Sequence, residues 1–349
     1  MTTAVIVGCG DVASVHFEAV QALGITLLAV VDTDPVVLRR TAGRLQTLGV
    51  IVPGLGSVDE LLAAIDAGAI ARPDVVHVTT PHHQHAPVTV PLLAAGLNVI
   101  QEKPLANTLV AGQELVEAAA NASGRLGVCF QNRYNAGNQA LKKVLEDGEL
   151  GEVLGAYASV VWTRTPDYYQ AKPWRGRWDQ AGGGLLINQA LHTLDLLQWF
   201  LGDPTEVRGN AATIKYRDVI EVEDSAQTLF THPAHGDQPE VTSTFVGSLT
   251  NAVHRNVEVE IYGSLGTATM ADGLHVRLAG GRSYDVAERV VPTTGRSYWG
   301  MSHQLLIEDF HRQLGSPEPF WIGAEEAMAS LRMLKRVYAD TWPHTTDHQ

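Results

Sequence analysis

The sequence predicts an α/β protein: a doubly wound parallel sheet in the first third of the chain, then a second α/β domain built on a mostly antiparallel sheet. Three observations carry this. An apolar run, Ala4-Val5-Ile6-Val7, leads into Gly8-Cys9-Gly10-Asp11-Val12-Ala13; short apolar strands then alternate with helical segments as far as Phe130; and from Val153 onward strand-like segments follow one another, with few helices between. Alternation favours parallel strands covered by helices on both faces, whereas consecutive strands pair antiparallel.

The first strand feeds a G-x-G-x-x-A turn. The first glycine permits the turn, the second lets backbone approach a pyrophosphate, and the small Ala13 lets the next helix lie close to the strand. Val12, Val15, His16, Ala19 and Leu23 give that helix its amphipathic spacing. A second strand, Leu27 to Val31, ends at Asp32, about 20 residues past the glycines, where a carboxylate accepts hydrogen bonds from an adenine ribose. The alternative is a glycine turn made for packing alone. Strand, helix and acidic residue together favour a dinucleotide site formed by Gly8, Gly10, Asp11, Val12, Asp32 and Thr33. An acidic residue here, with no arginine placed for a 2′-phosphate, predicts NAD over NADP.

The alternation continues with a strand at Asp74–Thr79, a helix at Gln84–Ala95, a strand at Asn98–Gln101, a helix at Leu109–Ala120 and a strand at Leu126–Phe130. Ligands of such sheets lie at the carboxyl ends of the strands. Those ends carry Thr80, Pro81, His82 and His85, then Glu102 and Lys103, then Gln131, all expected beside the cofactor. Lys103 at a strand end reaches a substrate oxygen next to a nicotinamide, although an ordinary surface lysine fits the same position. His82, His83 and His85 share one loop, but no second cluster of carboxylates or cysteines completes a metal set, and no metal is expected.

Beyond residue 150 a long strand, Val153–Trp162, precedes a loop rich in Trp, Arg and Gly, and one helix is expected from Leu185 to Phe200. Strands follow at Glu206–Ile214, Asp224–Phe230, Val241–Leu249, Val257–Tyr262, Thr267–Met270 and His275–Leu278, with a turn at His235-Gly236-Asp237. Helices at Ser302–Leu314 and Ala324–Ala339 and a frayed tail after Trp342 close the chain. This divides it into domains at 1–130 and 131–349. Asn188, His192, Asp195 and Trp199 recur at i, i+4, i+7 and i+11 behind Gly182-Gly183-Gly184, along one face of the expected helix. His192 is then either a proton-transferring group or a buried histidine satisfied by Asp195. Trp174 and Arg175, in the loop Lys172–Trp178, suit sugar rings and their hydroxyl, carboxylate or phosphate groups, or else anchor the loop by packing. Arg133 either lines the same site or ties the domains together.

A formal charge of −13 on 349 residues, without clustered lysine and arginine, argues against a nucleic-acid surface. No apolar run approaches the ~18 residues of a membrane span, and the first residues form a strand rather than a cleavable signal, so a cytoplasmic enzyme is expected. Two cysteines, Cys9 and Cys129, give neither a disulfide framework nor metal-ligand spacing.

Gly8–Ala13, Glu102-Lys103-Pro104, Gly182–Gly184 with His192 and Asp195, and Ile261-Tyr262-Gly263-Ser264-Leu265-Gly266-Thr267 occur in an order that resembles the Gfo/Idh/MocA oxidoreductases over nearly the whole chain. The resemblance implies a Rossmann domain followed by an α/β domain with a large open sheet, and hydride transfer between NAD(P) and a carbinol or carbonyl carbon of a sugar, cyclitol or nucleotide sugar. It makes Lys103 and His192 the catalytic pair and sets Trp174, Arg175 and Asn188 with them at the substrate; Arg133 is a further candidate contact by its place after the strand at Leu126. Many members carry Asp where this chain has Asn188, and an amide orients a hydroxyl but relays no proton. Alternatives are an NAD-dependent glycosidase of the same superfamily and a non-catalytic dinucleotide-binding regulator. The alternation of Val257–Ile261 leaves one side of the second sheet for a partner, which predicts a homodimer or homotetramer through it.

Overall fold

A computed structural model describes residues 2–234, 236, 238–289 and 300–343. His235, Asp237 and the tail from residue 344 lie outside the described residues, and with them parts of the turn and of the terminus considered above. The chain divides into two units, one made of Met1–Ala106, Val110–Gln131 and Val291–Met328, the other of Asn107–Leu109, Asn132–Val290 and Ala329–Gln349. The described segment 300–328 groups with the first unit.

The first unit begins with β1 (Thr3–Val7), α1 (Ala13–Ala22), β2 (Thr26–Val31), α2 (Pro35–Thr47), β3 (Gly54–Leu55), α3 (Val58–Asp66), β4 (Val75–Val78), α4 (His85–Ala94), β5 (Val99–Gln101), α5 (Leu109–Asn121, whose first residue falls in the second unit) and β6 (Leu126–Val128). Its strands form one parallel sheet in the order β3-β2-β1-β4-β5-β6, the doubly wound order of dinucleotide-binding domains. Ala4, Val5, Ile6, Val75, Val76 and Val78 are fully buried, as expected where helices cover both faces. Helices α2 and α3, further elements of the alternation, have clear caps. Asp34 Oδ1 accepts from the Val36 N–H ahead of Pro35 at the first turn, and Ser57 Oγ accepts from the Glu60 N–H.

The second unit contains α6 (Ala136–Glu146), β7 (Val153–Val161), α7 (Pro166–Gln170), α8 (Trp178–Ala181), α9 (Leu185–Asn188), α10 (Leu191–Leu201) and strands β8 (Glu206–Ala212), β9 (Ser225–His232), β10 (Val241–Ser248), β11 (Glu258–Gly263), β12 (Gly266–Met270), β13 (Leu274–Leu278) and β14 (Ser283–Val286). The sheet order is β14-β13-β12-β11-β7-β10-β9-β8, antiparallel except where β10 runs parallel to β7. One face is core: Ala226, Thr228, Phe230, Val241, Phe245, Val259 and Ile261 are buried. The other face is mixed rather than apolar. Thr242, Thr244 and Gln227 are exposed on it together with Leu229 and Tyr262. The last helices are α11 (Gly300–Arg312), in the first unit, and α12 (Ala324–Thr341). No helix among the described residues is long and apolar enough to cross a membrane.

The single helix expected from Leu185 to Phe200 is two helices. The Ala190 N–H bonds to Leu185 O, five residues back, so the turn widens at Gln189–Ala190 before α10 begins. The break changes the phase of Asn188 relative to α10, within which His192, Asp195 and Trp199 keep one continuous helical spacing. Asn188, His192 and Trp199 remain half-buried, while Asp195 turns into the core.

Candidate active site

Three neighbouring strands of the first unit, β1, β4 and β5, end at the same edge of the parallel sheet. The β1 end carries the glycine turn. Gly8 has φ +88°, and a Cβ there would press on the Thr79 carbonyl carbon and oxygen at 2.9 Å, so this position takes only glycine. Thr79 Oγ1 donates to Gly8 O and fixes the turn to the β4 end. Gly10 meets nothing within 4 Å, which leaves its backbone open to a phosphate group, and Val12 stands at the start of α1 without a side-chain capping bond. Asp11 is exposed beside it. Asp32 closes β2; its Oδ2 accepts from the Cys9 N–H at 2.8 Å and its Oδ1 from the Asp34 N–H at 2.9 Å. The carboxylate is thus oriented by the glycine turn itself, with Thr33 exposed next to it. This open, donor-lined turn with a fixed carboxylate fits a dinucleotide.

The β4 end continues into Thr80, Pro81 and a short 3-10 turn at His82–Gln84. Thr80 and Pro81 are half-buried and His82 is buried. His85 does not present a ring nitrogen outward. It is fully buried, with Nδ1 2.8 Å from Pro104 O and Nε2 3.0 Å from Thr80 O, so it joins the β4 end to the loop after β5. Burial holds its pKa below the usual histidine range, although both carbonyls oppose that shift.

That loop is Glu102-Lys103-Pro104, with a cis peptide before the proline. Glu102 is buried, and its Oε1 lies 3.1 Å from both His16 Nε2 on α1 and His303 Nε2 on α11. Burial alone pushes this carboxyl up, but the two imidazole hydrogen bonds together outweigh it and hold Glu102 well below the usual carboxylate range. The network continues inward: His16 Nδ1 lies 3.0 Å from His77 Nδ1, and His77 Nε2 lies 3.3 Å from His311 Nε2. Burial keeps His16 and His77 below the usual range, so they are neutral, and one tautomer pattern gives every contact a donor and an acceptor. The donor atoms of His16, Glu102 and Cys129 fall within 4.8 Å of one another, and the carboxylate there is already satisfied by two imidazoles. Glu102 is thus the anchor of the loop, and Lys103 is the half-buried residue that this anchor places at the sheet edge. Gln131, after β6, is also buried.

In the second unit the three glycines are dictated by close approach. A Cβ on Gly182 would strike Asn107 O, on Gly183 the Tyr338 hydroxyl, and on Gly184 Glu223 O; Gly182 and Gly183 also have φ +75° and +147°. Glu223, fully buried, accepts from the Gly184 and Leu186 N–H groups at 2.8 Å each and from the Tyr338 hydroxyl at 2.7 Å. Lys335 Nζ donates to Gly182 O at 2.9 Å. This cluster sets the start of α9, and through it Asn188, whose Nδ2 lies 3.4 Å from Gly183 O. His192 stands half-buried on the first turn of α10.

Arg133, expected at the substrate, is engaged inside the second unit. It is 1% exposed and clamps the fully buried Asp195, Nε to Oδ2 at 2.8 Å and Nη2 to Oδ1 at 2.7 Å. Arg133 Nη2 also donates to Gln198 Oε1 at 3.1 Å, and the Asp195 carboxylate accepts from Ser330 Oγ at 2.7 Å. Asp195 is therefore committed to Arg133. Trp174 and Arg175 are half-buried, and the Arg175 guanidinium lies 4.4 Å from the Tyr168 ring centre. Sequence reasoning missed His303, His77 and His311 because nothing in their spacing links residues so far apart in the chain.

Two family models match the chain in succession: the NAD-binding Rossmann fold of the oxidoreductase family over residues 2–130, and a GFO/IDH/MocA C-terminal domain over residues 138–269. The chain belongs to the Gfo/Idh/MocA oxidoreductase family. It is similar to the 1,5-anhydro-D-fructose reductase of Ensifer adhaerens, 32% identical over 147 residues, 42% of this chain and 41% of that protein. An inositol 2-dehydrogenase of Burkholderia lata is 29% identical over 201 residues, 57% of this chain and 54% of that protein. These alignments span only about half or less of those relatives' length. Among solved structures, the WlbA dehydrogenase of Chromobacterium violaceum, in complex with NADH and UDP-GlcNAcA, superposes with a TM-score of 0.82 at 26% identity, covering 98% of this chain and 94% of that one.

Proposed function

We propose that this Gfo/Idh/MocA protein is an NAD-dependent dehydrogenase or reductase that acts on a carbinol or carbonyl carbon of a sugar-like substrate. The observation that carries the reading is the shared edge of β1, β4 and β5, which sets the open glycine turn, its Asp32 and the anchored Lys103 side by side on one parallel sheet. The nicotinamide dinucleotide, when bound, accepts or donates the hydride. The remaining work belongs to side chains. Lys103 holds the substrate oxygen and stabilises its developing charge; His192 takes the hydroxyl proton in oxidation, or returns it in reduction. Asn188 orients a hydroxyl. Asp32 repels a 2′-phosphate, which favours NAD over NADP. The half-open mixed face of the second sheet, with Leu229 and Tyr262, supports association into a homodimer or larger homo-oligomer.

The test is spectroscopic. Purified protein with NAD and a panel of sugars, cyclitols and sugar derivatives should generate NADH absorbance with at least one of them. Cofactor binding without turnover across the panel, or release of aglycone from glycosides, would replace this reading with the regulatory or glycosidase alternative.

A further inference from the structure

Helix α9 spans only Leu185–Asn188 and carries Asn188 directly before the widened turn that leads to His192. A helix this short takes its position from what packs around it rather than from its own hydrogen bonds. Its start is held by Glu223, which accepts from the Gly184 and Leu186 N–H groups at 2.8 Å each. Its other end is held by Tyr168. The Tyr168 hydroxyl accepts from Nε2 of Gln189, the residue after Asn188, at 2.9 Å, and Gln189 is 7% exposed.

Tyr168 is itself firmly placed. The guanidiniums of Arg164 and Arg175 approach its ring centre at 4.8 and 4.4 Å, and the ring packs edge-on against that of Tyr169 at 5.0 Å. Tyr169 is buried in a cluster with Tyr216, Ile220 and Val222, against which Tyr168 also packs. The chain after Val222 is Glu223, so one packed block holds both ends of α9. Two more hydrogen bonds dock the Trp174–Arg175 loop on the same block: Glu221 N–H to Gly176 O at 2.9 Å, and Trp178 Nε1 to Glu221 O at 3.0 Å.

The Gln189 contact meets the backbone where a small change has a large effect. Turns closed over five residues are rare and recur at functional sites. Reverting this one to regular helix would remove one residue of width and rotate Asn188 by about 100° relative to α10. We propose that Tyr168 is a positioning residue: its hydroxyl, through Gln189, holds the wide turn that sets Asn188 against His192, while its ring holds Arg175. This rests on the hydride-transfer reading, in which Asn188 and His192 meet the substrate.

The experiment compares Tyr168→Phe, Gln189→Met, their double variant and Tyr168→Leu in the full chain. Tyr168→Phe keeps the ring beside Arg175 and loses only the hydroxyl, so kcat should fall by about 10- to 100-fold while KM and NADH affinity stay within about threefold. Gln189→Met should do the same. The double variant should lose no more than the worse single one, because each change removes the same contact. Tyr168→Leu should raise KM as well, since Arg175 loses the ring. A purely structural contact would lower the melting temperature and leave kcat of the folded protein unchanged.

A second readout needs no turnover. The Cε1–H proton resonance of His192, identified by its absence from His192→Gln, should shift in Tyr168→Phe and in Gln189→Met. Should Tyr168→Phe fail to fold, Gln189→Met carries both readouts. Native kcat in the single variants, additive losses in the double variant, or an unmoved His192 resonance each overturn the proposal. A native protein that turns over no substrate, yet whose His192 resonance shifts in the variants, contradicts the reaction assignment alone.

Discussion

His16 Nε2 lies 3.1 Å from Oε1 of Glu102, the residue immediately before Lys103. The contact joins the helix behind the glycine turn to the loop that carries the proposed substrate-holding ammonium, and His303 completes it from α11. The helix after the glycine turn and the loop carrying Lys103 are thus joined through one buried carboxylate.

Glu102→Gln should weaken both charge-assisted hydrogen bonds, lowering stability by about 1.5–3 kcal/mol and turnover with it, while Lys103 remains present. Urea unfolding together with turnover measures this. A variant as stable as the parent would show that Glu102 anchors nothing.

Acid should unfold the protein earlier than its carboxylates alone would dictate. Burial holds His16, His77 and His85 below the usual histidine range and pushes His311 down to about 4. The unfolded chain takes up these protons near pH 6.5 and the folded chain does not, so stability is complete above about pH 6.5 and falls below it by about 1.4 kcal/mol per pH unit for each histidine. Glu102, still ionised when the unfolded carboxyl protonates, adds a further loss below about pH 4.5. Thermal unfolding from about pH 7.5 to about pH 5.5 should show the slope, reduced by about one proton in His77→Gln. A flat profile contradicts the neutral buried network.

Arg133→Met should cost about 3–5 kcal/mol, because it strands the Asp195 carboxylate in the core. The double variant with Asp195→Leu should regain much of that stability. Denaturation curves check this, and a raised KM with unchanged stability would instead mark Arg133 as a substrate contact.

The Arg133 case shows what a sequence conceals. Strand and helix order in the first third was legible because short apolar runs alternate with amphipathic ones, and the glycine turn and Asp32 lie where their spacing puts them. Arg133 and Asp195 are 62 residues apart, and the pattern i, i+4, i+7 assumed an unbroken helix. The five-residue bond from Ala190 to Leu185 parts Asn188 from α10; Asp195 stays on α10 with His192 and lies inward, paired with Arg133, a partner that spacing does not reveal. By contrast α3 was legible in the sequence, since Val58, Leu61, Leu62 and Ile65 recur at i, i+3, i+4 and i+7, and both α2 and α3 have explicit caps. His85 looked like a cofactor contact because it follows a strand end; only the two carbonyls on its ring show that it holds the loop.

Asp32 should set cofactor choice. Its two backbone contacts fix the carboxylate against a 2′-phosphate, so fluorescence titration should give tighter binding of NADH than of NADPH, and Asp32→Ala should narrow the difference. Tighter NADPH binding by the native protein contradicts this assignment.

In the proposed reaction His192 moves the proton while the first unit holds the cofactor. The most direct measurement is turnover of His192→Ala on a substrate that the native protein oxidises, alongside its NADH affinity. Turnover should fall by about 10²–10⁴-fold with NADH affinity nearly unchanged, Lys103→Ala should lose a comparable amount, and Asn188→Ala should lose less. Near-normal turnover of His192→Ala would contradict the account and leave the proton to Lys103 or water.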